Sequence, residues 1–360
     1  MPTLHAVLPV AVHDPTRPSG GNTYDQHLVA GLTALGWTVH EQLVTGRWPE
    51  PDATARRSLA EAVGRVGGGA PVLVDGLLAS RSPDVLVPLS RRTPLVVLVH
   101  LPLGGEPERA VLAAASAVVT TSAWSRDRVV ALHGLDAPRV HVAEPGTDPA
   151  PPATGTPGGG SLLCVGAVTP TKGHDVLADA LATLTDLPWR CVVAGSLEVD
   201  APFAAGVVER TRRAGVADRV TFVGSLTPDA VGDAYAAADL LVQPSRVETY
   251  GIAVADALAR GLPAVASDVG GLPGTLRGTG DSVPGLLVPT GDPAALAQAL
   301  RAWLTDPGLR GRLRASAVAR RDTLTAWSQT TRRVADVLGT LGPAPRGVVE
   351  EQTGRGRPGR

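Results

Sequence analysis

Short runs of valine, leucine and alanine recur along the chain, and most are continuous rather than alternating. In the first 148 residues they read LHAVLPV, WTVHEQLV, PVLVDGLL, TPLVVLVH, SAVVTTS and RVHVAEP. Continuous apolar runs of this length suit strands covered on both faces, as in a parallel sheet. Stretches of helical period separate several of them. In TYDQHLVAGLTALGW, Leu28, Leu32 and Leu35 recur at i, i+4 and i+7, on one face. Strand and helix in alternation predict right-handed βαβ units.

Residues 149–160, PAPPATGTPGGG, have no period and are mostly proline and glycine, so a linker is expected there. The alternation restarts with SLLCVGAV, WRCVVAG, RVTFVGS, DLLVQPS and PAVASDV. The pattern thus predicts two α/β halves, residues 1–148 and 161–324. A last helix over 325–341 has Trp327, Val334, Val337 and Leu338 on its apolar side. Residues 342–360, rich in proline, glycine and arginine, read as a disordered tail. Parallel sheets bind ligands beyond the carboxyl ends of their strands. Two such halves facing one another would enclose a cleft.

The 360 residues suffice for two domains of ordinary size. Aromatic residues make up only 3%, so the core must be built of alanine, valine and leucine. A net charge of -1 lacks the basic excess that nucleic-acid partners require. The opening MPTLHAVLPVAVHD lacks the basic and long apolar segments of a signal peptide. No run approaches the roughly 20 apolar residues of a membrane span. A cytoplasmic protein is expected, with a peripheral membrane contact left open. Cys164 and Cys191 lie inside apolar runs and read as reduced core residues.

Four places can carry chemistry. In CVGAVTPTKGHDVLADALATL a strand runs into a turn with Pro170, Lys172 and Gly173. A helix follows, with Val176, Leu177, Ala180, Leu181 and Leu184 facing inward. Strand, turn and helix present free N–H groups and the positive end of a helix dipole. With a lysine added this becomes an anion site suited to phosphate. A solvated turn lysine is the competing reading. The stretch lacks Gly-Lys-Ser/Thr, which argues against ATP hydrolysis. In PSGGNTYDQHL, Gly20 and Gly21 can admit a ligand close to the backbone, with Asn22 or Thr23 as helix cap. A pair of glycines in a loop is more often only a turn, and the three-glycine dinucleotide spacing is missing.

His100 ends the apolar strand TPLVVLVH and should face the cleft, although a lone histidine is often structural. The fourth place is VETYGIAVADALARG, with Glu248 in a loop and a helix from about Ile252 to Ala259. Asp256 lies more than one turn into that helix. The two acids and the N–H groups of Thr249, Tyr250, Gly251 and Ile252 could meet different parts of one ligand. Carboxylates are natural partners for sugar hydroxyls. Otherwise the acids are surface groups. The small residues around Asp256 imply burial, and a buried acid needs a partner. No metal-ligand spacing appears.

Together these features resemble the family 4 glycosyltransferases, retaining enzymes of GT-B fold, to about residue 341. The most specific part is PSRVETYGIAVADALARGLPAVASDVGGLP, which looks like that family's Glu-x7-Glu segment. VGAVTPTKG is similar to its phosphate turn, GGN to its first glycine loop, and AEPGTD to the usual end of its N-terminal domain.

The resemblance implies two Rossmann-like domains: an acceptor side, residues 1–148, and a nucleotide-sugar side, residues 161–324. The last helix would pack back toward the first half. Glu248 would contact the donor sugar, and backbone groups at Thr249–Ile252 the sugar and diphosphate. Lys172 would bind the diphosphate and Asp256 the ribose. Gly20, Gly21 and Asn22 would approach the donor phosphate or the acceptor. His100 would face the transferred sugar, and Leu226 would contact the base through its backbone. A UDP-, GDP- or ADP-sugar is the implied donor, with no metal or other cofactor and a front-face retaining mechanism. The acceptor is expected to be small and soluble. The rival readings are a nucleotide-sugar 2-epimerase of the same fold and a non-catalytic nucleotide-sugar-binding protein. The chain departs from the pattern at Asp256, where the family has glutamate, and at Ala167, where it has a diphosphate arginine. Arg246 is a conceivable replacement.

Overall fold

The computed structural model describes residues 1–14, 18–67, 69–277 and 283–341. The first half contributes β1 (Thr3–Pro9), β2 (Thr38–Val44), β3 (Val72–Asp75), β4 (Leu95–Val99), β5 (Ala117–Thr120) and β6 (Val140–Val142). They form one sheet in the order β2-β1-β3-β4-β5-β6, parallel throughout. The second half contributes β7 (Ser161–Val165), β8 (Arg190–Ala194), β9 (Val220–Gly224), β10 (Leu240–Gln243), β11 (Ala264–Ser267) and β12 (Gly285–Val288). Their order is β12-β11-β10-β7-β8-β9, again parallel. Helices cover both sheets, and the architecture is the GT-B arrangement of two Rossmann-like halves.

The continuous apolar runs behave as the pattern predicts: every residue of β3, β4 and β5 is buried. The exception is β2, an edge strand whose polar residues are largely exposed and in which only Val44 is buried. β12 escaped the sequence reading. It is four residues long, and only its end residues are buried. On the helix Gly20–Ala34, Leu28 and Leu32 are buried as expected. Leu35 is not: the helix ends at Ala34, Gly36 turns left-handed (φ 87°), and Leu35 is 45% exposed.

The last helix, Trp327–Thr340, buries Val334, Val337 and Leu338 in a cluster with Leu4, Leu8, Leu28 and Leu32. The end of the chain therefore packs on the first half. A parallel bridge between Thr147 and Ala326 fastens the return. Residues 149–160 form neither helix nor strand, but they are anchored to the second half. Thr156 donates twice to the buried carboxylate of Asp239, and Trp303 Nε1 donates to Gly159 O at 2.7 Å. The expected tail, 342–360, lies outside the described residues. Cys164 and Cys191 are free and buried on neighbouring strands. Among the described residues no helix is long and apolar enough to cross a membrane.

Each sheet reverses its direction of growth once. The reversal falls between β1 and β3 in the first sheet and between β7 and β10 in the second. Crevices open at such points, beyond the carboxyl ends of the flanking strands.

Candidate functional site

In the second half, the segments after β7 and β10 flank its crevice. Lys172 closes a 3-10 turn, Pro170–Lys172, and Gly173 follows with φ 71°. A Cβ at 173 would lie 2.0 Å from Pro244 O. Only glycine lets the turn adopt this backbone and approach the end of β10 so closely. Arg246 N donates to Thr171 O at 2.7 Å and locks the two segments together. The result joins the two expected residues: Lys172 Nζ and Glu248 Oε2 are 2.6 Å apart. Ser245 Oγ reaches the same carboxylate oxygen at 3.4 Å and accepts from Gln243 Nε2 at 2.8 Å.

The Glu248 loop is held from behind by Gly271 N, which donates to Glu248 O at 3.0 Å. Tyr250 is buried, and its carbonyl accepts from Thr275 Oγ1 at 2.5 Å. Gly251, at φ 97°, starts the helix Ile252–Leu258, and a Cβ there would meet Leu272 Cδ2 at 2.4 Å. The first N–H groups of this helix have no intrahelical acceptor, so they remain available beside Glu248. Asp256 is half-buried one turn further on. Burial pushes its carboxyl up to about 6, against the opposing pull of Arg260. Leu226 follows β9, two strands from β7, and packs against the cluster that contains Leu258 and Leu272.

In the first half, Gly20 and Gly21 are not in a loop before the helix but are its first two residues. The cap is neither Asn22 nor Thr23. Ser19, in extended conformation, accepts from Asn22 N at 3.1 Å, while Asn22 Nδ2 donates to Ala11 O at 3.0 Å. A Cβ on Gly20 would lie 3.2 Å from Ile252 Cδ1, so the two helix starts face each other across the cleft. A Cβ on Gly21 would lie 3.3 Å from His100 Cδ2. Ser122 Oγ also crosses, donating to Thr249 O at 2.6 Å.

His100 follows β4 and is not alone. Its Nε2 is 2.9 Å from Asp25 Oδ1 and 3.7 Å from Asp75 Oδ2. Burial lowers its basicity, but the two carboxylates outweigh burial and raise it to about 9. Burial and the charge of Asp25 push Asp75 up to about 7, against His100 and the Leu77 N–H. Sequence spacing showed no metal constellation. Among the described residues, folding gathers one group with metal-ligand atoms in reach of each other, Asp25, Asp75 and His100, all within 4.8 Å.

Asp25, Asp75, Ser122 and Ser245 were not singled out from the sequence. Asp75 could have been, because it ends an apolar strand just as His100 does. Arg246 has another partner than a ligand: it forks onto Asp175 at 2.8 and 2.7 Å and donates to Pro170 O.

Residues 156–320 match the family model described as glycosyl transferases group 1. The matched segment covers just under half of the chain. It holds Lys172, Glu248 and Asp256, and its family accords with the family 4 resemblance of the motifs. Over 272 residues the chain is 34% identical to D-inositol 3-phosphate glycosyltransferase 1 of Catenulispora acidiphila, covering 70% of this chain and 61% of that protein. It is 33% identical over 217 residues to the lipopolysaccharide core biosynthesis mannosyltransferase LpsB of Rhizobium meliloti, covering 59% and 60%. The chain thus spans about three fifths of these relatives. Among solved structures, sucrose-phosphate synthase from Thermosynechococcus elongatus superposes with a TM-score of 0.78 at 22% identity, over 94% of this chain and 99% of that one. Anabaena Alr3699/HepE, solved with UDP-glucose, gives 0.71 at 18% identity, over 94% and 100%. These likenesses show a shared fold.

Proposed function

We propose that the chain transfers a sugar from a nucleotide-sugar donor to an acceptor, with retention at the anomeric carbon and without a required metal. The observation that carries this reading is the Lys172–Glu248 pair beside the start of the helix Ile252–Leu258, opposite Gly20, Gly21 and His100. Lysine and free N–H groups suit a diphosphate, and carboxylates suit hydroxyls. The side chains of Lys172 and Glu248 are 30% and 13% exposed, so the pair is reachable from the cleft. An incoming donor can exchange that contact for charge-assisted bonds to its phosphates.

In this reading Lys172 offsets the charge that develops on the leaving diphosphate. Glu248 orients the donor sugar, Asp256 holds the ribose, and Leu226 meets the base through its backbone. The leaving diphosphate takes the proton of the attacking acceptor on the same face as it departs. Closure of the two halves excludes water and spares the donor from hydrolysis. The setting is cytoplasmic, where the buried thiols of Cys164 and Cys191 stay reduced.

The test is nucleotide release from UDP-, GDP- and ADP-sugars, each alone and with an acceptor panel that includes inositol 3-phosphate. UDP-glucose and the inositol phosphate enter the panel because a structural neighbour and several relatives bear those names. Acceptor-dependent release, undiminished by EDTA and giving a product with the donor's anomeric configuration, is the expected result. Conversion of donor without acceptor would mark an epimerase instead. Binding without turnover would mark a non-catalytic protein.

A further inference from the structure

Three groups from three segments meet at the switch point of the first sheet. Asp25 lies on the helix after β1, Asp75 ends β3, and His100 follows β4. Asp25 is 1% exposed and Asp75 3%. The His100 side chain keeps 16% of its surface open. The Nε2 and Cδ2 edge of the ring is turned toward Asp25 and the Gly21 backbone. Nδ1 is on the opposite edge, away from both. Tyr24 packs edge-on against the ring at 5.3 Å and spends its own hydroxyl on Ala143 O. The charged and titratable groups facing His100 are thus Asp25, Asp75 and Tyr24.

Two buried carboxylates side by side are costly unless a positive charge or a proton joins them. Asp75 Oδ1 accepts from Leu77 N at 2.6 Å. Asp25 Oδ2 is buried and has no hydrogen-bond partner among the described residues. The imidazole of His100, 2.9 Å from Asp25 and 3.7 Å from Asp75, is placed to supply that positive charge.

We propose that Asp25 and Asp75 are positioning residues: they clamp the Nε2 edge of His100 so that Nδ1–H is held as a fixed hydrogen-bond donor toward ligand oxygen in the cleft. The proposal rests on the sugar-transfer reading for its ligand, but not for its geometry. His100 is then a cation that binds, not a base that accepts a proton, and its raised basicity near 9 agrees with this role. Removing a carboxylate returns the ring toward the ordinary value of 6.5 and makes the donor sensitive to neutral pH.

The experiment pairs NMR of imidazole-labelled full-length protein with pH profiles of kcat/KM, on wild type, Asp25→Asn and Asp75→Asn. In the wild type, His100 should carry both protons at pH 7.5 and the profile should stay level to about pH 8.5. In Asp25→Asn the His100 titration should move down by about two pH units. Its activity should approach the wild type near pH 6 and fall about tenfold per unit above pH 7. Asp75→Asn, which keeps the shape of the site, should shift the titration in the same direction by less. Recovery at acid pH is what a purely structural role would not produce. A uniform loss at all pH values with an unchanged His100 titration overturns the proposal. So does a stoichiometric divalent ion carried by the wild type and lost in Asp75→Asn, which would make the trio a metal site. If no variant transfers sugar, the transfer reading fails, and the NMR titration still decides the clamp.

Discussion

At the residue scale, Asp256 has the clearest thermodynamic signature. Its folded-state value of about 6 lies above the ordinary 3.8, so the folded chain binds more protons than the unfolded chain between those values. By linkage, stability falls as pH rises through that window, and the whole cost is present above pH 6. Asp256→Asn should therefore stabilise the protein by about 1–3 kcal/mol at pH 7.5. The two proteins should converge below pH 4, as read by urea unfolding. The same substitution should weaken nucleotide binding if the carboxylate holds ribose. Gly173 gives a second prediction at this scale. Alanine there faces both a left-handed backbone, costing about 1–2 kcal/mol, and a 2.0 Å approach to Pro244 O. Unfolding should shift by at least that amount, and the Lys172 turn should lose donor affinity with it.

These residues also show how far the sequence could be read. Lys172 and Glu248 were legible because each stands in a short segment after an apolar strand, and topology brings such segments together. The Asp25–Asp75–His100 trio was not, because its members lie 50 and 25 residues apart and the acids carry no motif. Ser19 was passed over for Asn22 and Thr23 because all three residue types cap helices, and only the backbone of the loop decides between them.

At the scale of elements, long continuous apolar runs identified ten buried or half-buried strands, and the amphipathic edge strand β2 was found with them. β12 was missed because a four-residue segment with two half-buried positions has almost no pattern. The terminal helix was legible from its spacing, and the structure adds what it covers. Leu338 is 2% exposed against Leu4 and Leu32. Leu338→Ala should cost about 2–5 kcal/mol, measured as a lower midpoint in thermal or urea unfolding, although the site is in no direct contact with it. Trp327, at the head of that helix, stacks on His27 with ring centroids 4.2 Å apart. That fixes the helix start next to the Thr147–Ala326 bridge.

At the scale of the whole molecule, two switch points face one another. One bears Lys172 and Glu248, the other Gly20, Gly21 and His100, and the contacts Gly20–Ile252 and Ser122–Thr249 join their rims. Neither half alone completes a site, so activity should depend on their approach. Ser122→Ala removes one bond across the cleft and should raise KM for donor a few-fold while leaving the fold intact.

The most direct measurement is steady-state transfer by Lys172→Ala and Glu248→Ala, with Arg301→Ala as a control on the exposed Arg301–Asp186 ion pair. Both site variants should lose about 100- to 1000-fold in kcat/KM, with Arg301→Ala unchanged. Transfer at wild-type rate by either site variant would contradict the assignment of the Lys172–Glu248 pair as the donor site.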